Sequence, residues 1–373
     1  MIRNAPSLFD APKPPSAGES TGIKPFLEGH ARAVTVYGSG KVALRDGLSG
    51  LVEPGQNVLV PAYLPDAVVE PLSELGLESR YYAVEPTLAP DFVDLERRID
   101  DDSVAVVSVD YFGFPQPGLE ELSAIAADYD CYHVDDNAHA PLSVDGETLL
   151  GTRGHLGVTS LWKLLPIPNG ALLYLNAEGA IDAYDPSPLA GVRDRIDAAD
   201  CRFVLAAAAR KLFDTDGTLW RALESVVADE GSSPAVGGPA ERYEDGKTRM
   251  SKLAATVVEN ADPAAVRTRR RENYRTWRRL LAPRDDLEIV FESLPPGICP
   301  QTFPVRAERP TAFLEELDDC GVGAHTWPRL SRAVVDDSAY ETATRLSREI
   351  VTLPVHQHVT PSAIEAVGDR LSR

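Results

Sequence analysis

From about residue 30 to residue 176, short apolar runs alternate with amphipathic stretches, the pattern of a parallel or mixed sheet covered by helices. Six runs predict strands: Asn57–Val60, Ser79–Val84, Val104–Val109, Cys131–Val134, Gly157–Leu161 and Ala171–Leu175. They are rich in Val, Leu or Tyr, and most are bounded by Gly, Pro, Asp or Asn, residues that end strands. The clearest helix follows Pro117 and Gly118, where Leu119, Leu122, Ile125, Ala126 and Tyr129 recur at helical spacing and would lay one face on the sheet. Residues 177 to 250 read as less regular helix, with Glu230 to Gly246 as a loop or linker. Met250 to Leu280 predicts one or two long helices carrying a basic run, Arg267, Arg269, Arg270 and Arg271, expected to be a solvated face. Strands near Leu287–Phe291 and Ile350–Pro354, with helices between and after, predict a small α+β domain.

At 373 residues the chain exceeds a typical single core. The expected division is a leader over residues 1–25, a large α/β domain over 26–250, and an interdomain helix with a small C-terminal α+β domain over 251–373. Two domains leave room for a cleft.

Composition narrows the class. Hydrophobic residues make up 43% and charged residues 25%, as in an ordinary globular protein. The longest apolar runs, such as Val104–Val107 and Gly170–Leu175, fall far short of the roughly 20 residues of a spanning helix. Met1 to Lys24 has no apolar segment of a secretory signal, so a cytoplasmic protein with a flexible leader or dimer arm is expected. Cys131, Cys201, Cys299 and Cys320 are widely spread without a C-x-x-C pair, which predicts buried, reduced thiols and no metal site. A formal charge of -20 argues against nucleic acid, whose phosphates are bound by basic patches. Seven lysines stand against 57 acidic residues, a balance resembling proteins of salt-rich cytoplasm, and any lysine in an apolar setting therefore draws notice.

Three segments could carry chemistry. In Gly157-Val-Thr-Ser-Leu-Trp-Lys163-Leu-Leu-Pro a lysine leaves a strand end, where ligands collect in open α/β sheets. Desolvated there, it would be an amine nucleophile of lowered pKa; the plain alternative is a surface lysine in a loop. In Cys131-Tyr-His-Val-Asp135-Asp136-Asn-Ala-His139, a strand ends on two carboxylates and an imidazole. One carboxylate could hold a pyridine nitrogen protonated, or these residues could simply cap a helix. In Gly38-Ser39-Gly40-Lys41-Val42-Ala43-Leu44 a glycine turn opens an apolar helix whose first amides could bind phosphate, or it is a bare structural turn. A nucleotide P-loop fails, because Thr35 and Val42 stand where its Gly and Ser or Thr are needed.

Taken together and in this order, the three segments resemble the fold-type I pyridoxal-phosphate enzymes, and among them the DegT/DnrJ/StrS family of sugar aminotransferases. Ser39-Gly40-Lys41-Val42-Ala43-Leu44 is similar to the family's phosphate turn, with Lys in place of Thr. Asp136-Asn-Ala-His139 resembles its Asp-x-x-Gln, and Ser160-x-x-Lys163 the Ser and Schiff-base Lys of the wider fold type. Val58-Leu-Val-Pro61-Ala-Tyr63, Tyr111-Phe-Gly113-Phe-Pro115, Arg249-Met250-Ser251 and Leu353-Pro354-Val355-His356-Gln357 extend the likeness from about residue 30 to the end.

The resemblance implies a large, mostly parallel sheet flanked by helices with a smaller C-terminal domain, and pyridoxal 5'-phosphate as cofactor. It implies Lys163 and Asp136 as catalytic residues, with Gly40, Lys41, Val42, His139 and Ser160 also touching the cofactor. It further implies ping-pong transfer of an amino group from glutamate or glutamine to a nucleotide-linked keto-sugar, by a homodimer with shared sites to which Arg249 and the leader contribute. Departures accompany it: Pro65 stands where an aromatic residue usually stacks on the cofactor, leaving Tyr63, Tyr111 or Trp162 for that part. Asp110 replaces a common His, and His139 replaces Gln. A lyase or dehydratase, a non-sugar aminotransferase, or a binding protein of the same fold are the alternatives.

Overall fold

The computed structural model describes residues 2–3, 5–8, 22–212 and 243–371. In chain order the strands are β1 (Ala33–Tyr37), β2 (Asn57–Pro61), β3 (Glu78–Tyr82), β4 (Ser103–Val109), β5 (Tyr132–Asp136), β6 (Val144–Asp145), β7 (Thr148–Leu149), β8 (Leu156–Ser160) and β9 (Ala171–Leu175), followed by β10 (Leu287–Ile289), β11 (Thr302–Ala307), β12 (His325–Thr326) and β13 (Ile350–Pro354). A seven-stranded sheet runs in the order β1-β9-β8-β5-β4-β2-β3, and a four-stranded sheet in the order β10-β11-β13-β12. A mostly parallel sheet flanked by helices thus lies beside a smaller α/β part, as the resemblance implied.

Strands β3, β2, β4, β5 and β8 are parallel neighbours, while β9 runs antiparallel between β8 and β1. Strands β2, β5, β8 and β9 are almost wholly buried, which explains their near-continuous apolar runs. This topology gathers the carboxyl ends of β1, β2, β4, β5 and β8 along one edge. Both Tyr37 and Ser160 pair with Ala171, so the ends of β1 and β8 flank the same residue. Ligands bind at such an edge in open α/β sheets.

Helices Gly40–Ser49 and Leu119–Asp128 pack on this sheet, the second through Leu119, Leu122, Ile125 and Ala126. One hydrophobic core continues from Val58, Val106 and Val134 in the large sheet to Phe303, Val305 and Val351 in the small one. A second cluster lies around Lys163: Leu161, Leu164, Leu165 and Ile167 are buried with Ile23, Leu27, Met250 and Ala254. Each such leucine contributes roughly 1.5–3 kcal/mol relative to exposure. Three of them bracket one lysine, which fixes the turn's path.

Several expectations are corrected. Residues 263–281 form one helix after a shorter helix over Lys252–Asn260, and its basic run is only half a solvated face, with Arg267 and Arg269 partly exposed. Arg270 and Arg271 are buried at 1% and 8% exposure, because their guanidiniums satisfy backbone carbonyls. Part of the leader is docked: Ile2 is buried and pairs with Val322, and Ser7 N donates to His358 Nδ1 at 2.9 Å. Cys201 is exposed, while Cys131, Cys299 and Cys320 are buried thiols. The linker over Glu230–Gly246 falls largely outside the described residues. Among the described residues no helix is long and apolar enough to cross a membrane.

Candidate active site

The Lys163 turn follows β8 directly. Leu164 N and Leu165 N both donate to Leu161 O, at 3.0 and 2.9 Å, closing a single tight turn. The Leu164 carbonyl in turn accepts from Arg270 Nη2 at 3.0 Å and from Gln357 Nε2 at 2.9 Å. The backbone beside the lysine is thus clamped from the long Pro263–Leu281 helix and from the segment after β13. Lys163 itself is partly exposed and lines a cleft of about 50 Å³ with Phe112, Arg270, Gln301, His325, Trp327 and His356. Burial pushes its amine down to about 8, a shift that the carboxylate of Asp136 opposes.

Asp136 ends β5 and is buried. Its Oδ1 accepts from Ala138 N at 2.9 Å. Burial raises its pKa, and the charge of Lys163 opposes that rise. His139, one turn on, is buried and accepts from Phe112 N through Nδ1 at 3.3 Å. Burial and then Lys163 drive its pKa well below the ordinary imidazole value. The ring is therefore neutral, and with Nδ1 accepting, its proton sits on Nε2.

The helix Gly40–Ser49 starts at the same edge. Ser39 caps it, its Oγ accepting from Lys41 N at 3.3 Å, and Ala43 N makes a helical bond to Ser39 O. Helix geometry leaves the first amides, among them those of Gly40 and Val42, directed outwards. A Cβ on Gly40 would come within 3.0 Å of Ser160 Oγ, so glycine here keeps open a cradle between helix start and strand end. The Lys41 side chain pairs with Glu70 and lies 5.6 Å over the Tyr243 ring. The residues singled out in the sequence, Gly40, Lys41, Val42, Asp136, His139, Ser160 and Lys163, thus lie along one sheet edge.

Of the three stacking candidates, Tyr63 and Tyr111 are fully buried against each other and against Trp327. Their hydroxyls donate to backbone carbonyls of Trp327 and Tyr63. Trp162 is half exposed, with Lys163 Nζ 6.0 Å from its ring. Sequence reasoning missed Trp327 and Phe112, whose rings lie 4.8 and 6.1 Å from that of His139. Phe112 holds a left-handed backbone (φ 58°), a costly conformation for a non-glycine residue, and is pinned by Gln301 N on its carbonyl at 2.8 Å. Its place inside the Tyr111–Pro115 loop was the available signal. Among the described residues no cluster of His, Cys, Asp and Glu is arranged to hold a metal ion.

Known proteins resemble the chain in sequence profile and in fold. The sequence profile of the DegT/DnrJ/EryC1/StrS aminotransferase family matches residues 23–170. No curated protein matches the chain. Among solved structures, the aminotransferase TlmJ from Streptoalloteichus hindustanus superposes with a TM-score of 0.67 at 20% identity, covering 93% of this chain and 88% of that one. PseC of Helicobacter pylori, an aminotransferase of pseudoaminic acid biosynthesis, gives 0.65 at 13% identity, over 97% and 92%. The E. coli GDP-4-keto-6-deoxy-D-mannose-3-dehydratase with bound hydrated PLP gives 0.64 at 14%, over 95% and 92%.

The residues fit pyridoxal phosphate on their own chemistry. An open amide cradle beside a serine suits a phosphate, a buried carboxyl suits a ring nitrogen, and an amine of lowered pKa suits an aldehyde. In sequence over residues 23–170, and in fold over nearly its whole length, the chain is similar to the DegT/DnrJ/EryC1/StrS aminotransferases, which are pyridoxal-phosphate enzymes.

Proposed function

We propose that the chain is a pyridoxal-phosphate aminotransferase that passes an amino group from glutamate or glutamine to a nucleotide-linked keto-sugar. The observation that carries this reading is that the buried Asp136 ends β5 and the Lys163 turn follows the neighbouring strand β8, so an acid and an amine meet at one sheet edge. When bound, the cofactor supplies an electron sink that acidifies the carbon bearing the amine. Gly40, Lys41 and Val42 would hold its phosphate with Ser160, Asp136 its ring nitrogen, and the Nε2–H of His139 its ring hydroxyl.

Lys163, with a pKa of about 8, can both take and return a proton at Nζ near neutral pH. Asp136 Oδ1 is oriented by Ala138 N, which directs the carboxylate. Phe112 and Trp327, packed edge to face, give the cleft at the amine an apolar wall.

The E. coli neighbour raises a dehydratase as a second reading. Dehydratases of this kind replace the lysine with His, and the chain has Lys163. Purified protein with added pyridoxal phosphate should show a visible band that glutamate bleaches, with transfer to a panel of keto-sugars, and Lys163→Ala should show neither. A band that neither glutamate nor glutamine changes, or dehydrated sugar as product, would refute amino transfer. The homodimer belongs to the same proposal, with Arg249, exposed and bonded to the Pro188 carbonyl, at the shared boundary. Light scattering at the mass of one chain would refute it.

A further inference from the structure

On the face of the sheet turned away from Lys163 lies a polar set that the proposed chemistry does not use. Asp135 and Asp136 are consecutive in β5, so their side chains point to opposite faces. Asp135 is wholly buried, and its Oδ2 accepts from Gly151 N at 2.9 Å and Arg153 N at 3.2 Å. Asp110, just past the end of β4, is also wholly buried, and its Oδ1 accepts from Gln116 N at 3.2 Å. Its Oδ2 meets no donor, and the β4–β5 register sets Asp110 against the end of β5: Ser108, two residues earlier, pairs with Asp135, and Asp110 N donates to Asp136 O at 2.9 Å. Two carboxylates cannot satisfy one another in a dry interior, but an acid and a carboxylate can, through one hydrogen bond.

We propose that Asp110 and Asp135 share a single proton, so that one negative charge rather than two stands behind Asp136. Asp110 is then a neutral acid donating from Oδ2 to Asp135, which completes the otherwise unmet hydrogen-bonding of Oδ2. It acts through Asp136 as a positioning residue: a second charge there would favour protonation of Asp136 and remove the anion that a ring nitrogen needs. The link to the cofactor rests on the proposed function; the shared proton does not.

The surroundings agree. His133 faces the pair from β5, its Nε2 2.7 Å from Ser108 Oγ and its Nδ1 3.2 Å from Ser123 Oγ, and burial lowers its pKa, so it brings no positive charge. Tyr174 from β9 lies near Asp135 and is held neutral by burial. Arg153 favours the charged form of Asp110, but more weakly than burial and Asp135 disfavour it. Because folding raises the pKa of Asp110, the stability it contributes is complete below the unfolded value and is lost as pH rises through the folded one.

Infrared spectra of the full-length protein test the pair directly. A protonated-carboxyl stretch should persist at about pH 7, well above the ordinary aspartate range, and vanish in Asp110→Asn. In Asp135→Asn it should titrate at lower pH, because the neighbouring anion is gone. Asp110→Asn supplies the same neutral donor, so its urea midpoint should gain on wild type as pH is raised. In protein loaded with pyridoxal phosphate, Asp135→Asn should move the pH midpoint of the visible band downwards, and Asp110→Asn should leave it in place. Identical carboxyl signals in wild type and Asp110→Asn would overturn the shared proton. An unmoved visible band in Asp135→Asn would overturn its link to Asp136, and if Asp110→Asn does not fold, the Asp135→Asn titration decides alone. The predicted infrared signal in a protein that never takes up pyridoxal phosphate would instead overturn the function proposed above.

Discussion

Lys163 combines two properties that rarely meet in one lysine: its amine is desolvated, and a carboxylate opposes it. The two effects compete, and burial wins, taking the amine from the ordinary lysine range down to about 8. Borohydride trapping of pyridoxal phosphate on the chain should therefore map to Lys163 and rise with a midpoint near pH 8; a midpoint near that of free lysine would contradict the buried setting. Lys163→Ala should lower turnover by roughly 100-fold or more, measured as initial rates, since it removes the general acid and base. Asp136→Asn should keep the fold and weaken the visible band, read by absorbance titration. These two residues were legible because each ends a strand whose apolar run is plain, and because their order along the chain matches a known family. Trp327 and Arg270 were not legible: they lie more than a hundred residues beyond Lys163, and only the packing of β11 to β13 against the sheet edge brings them to it.

Gly157 illustrates how an element constrains the site. A Cβ there would lie 1.9 Å from the Gly151 carbonyl oxygen and 3.0 Å from that of Asp135, both backbone atoms that cannot step aside. Gly157→Ala should cost about 1–3 kcal/mol by forcing β8 away from β5, seen as a lower urea midpoint, and should also weaken pyridoxal phosphate binding because β8 carries Ser160. The six strands predicted in the large sheet all formed, with ends displaced by one or two residues. Strand β1 is hard to read from the sequence because its five residues run straight into a glycine turn, and β11 because Pro304 interrupts its apolar run. The basic run was misread for a physical reason. Charge predicts exposure only where no carbonyl ends need donors, and Arg270 meets four acceptors, from Leu164, Pro300, Gln301 and Gln357.

For the molecule as a whole, two features join its parts. Arg270 bonds the Lys163 turn to the loop before β11, and Arg270→Met would take this donor from the Pro300 and Gln301 carbonyls and leave the Leu164 carbonyl with Gln357 Nε2. A loss of about 1–3 kcal/mol is expected in chemical denaturation, together with slower trapping of pyridoxal phosphate at Lys163. The second feature is the net charge of -20, which repels itself across the surface. Screening shortens from about 10 Å at 0.1 M salt to about 3 Å at 1 M, so the urea midpoint should rise over that range of potassium chloride.

The docked start of the chain matters to anyone who handles this protein. Arg3 O sits 2.8 Å from His356 Nε2, and His356 is part of the same wall that Lys163 lines. Removing residues 2–7 would therefore take an acceptor from an imidazole inside the reaction chamber, although the cut itself lies far from Lys163 along the chain.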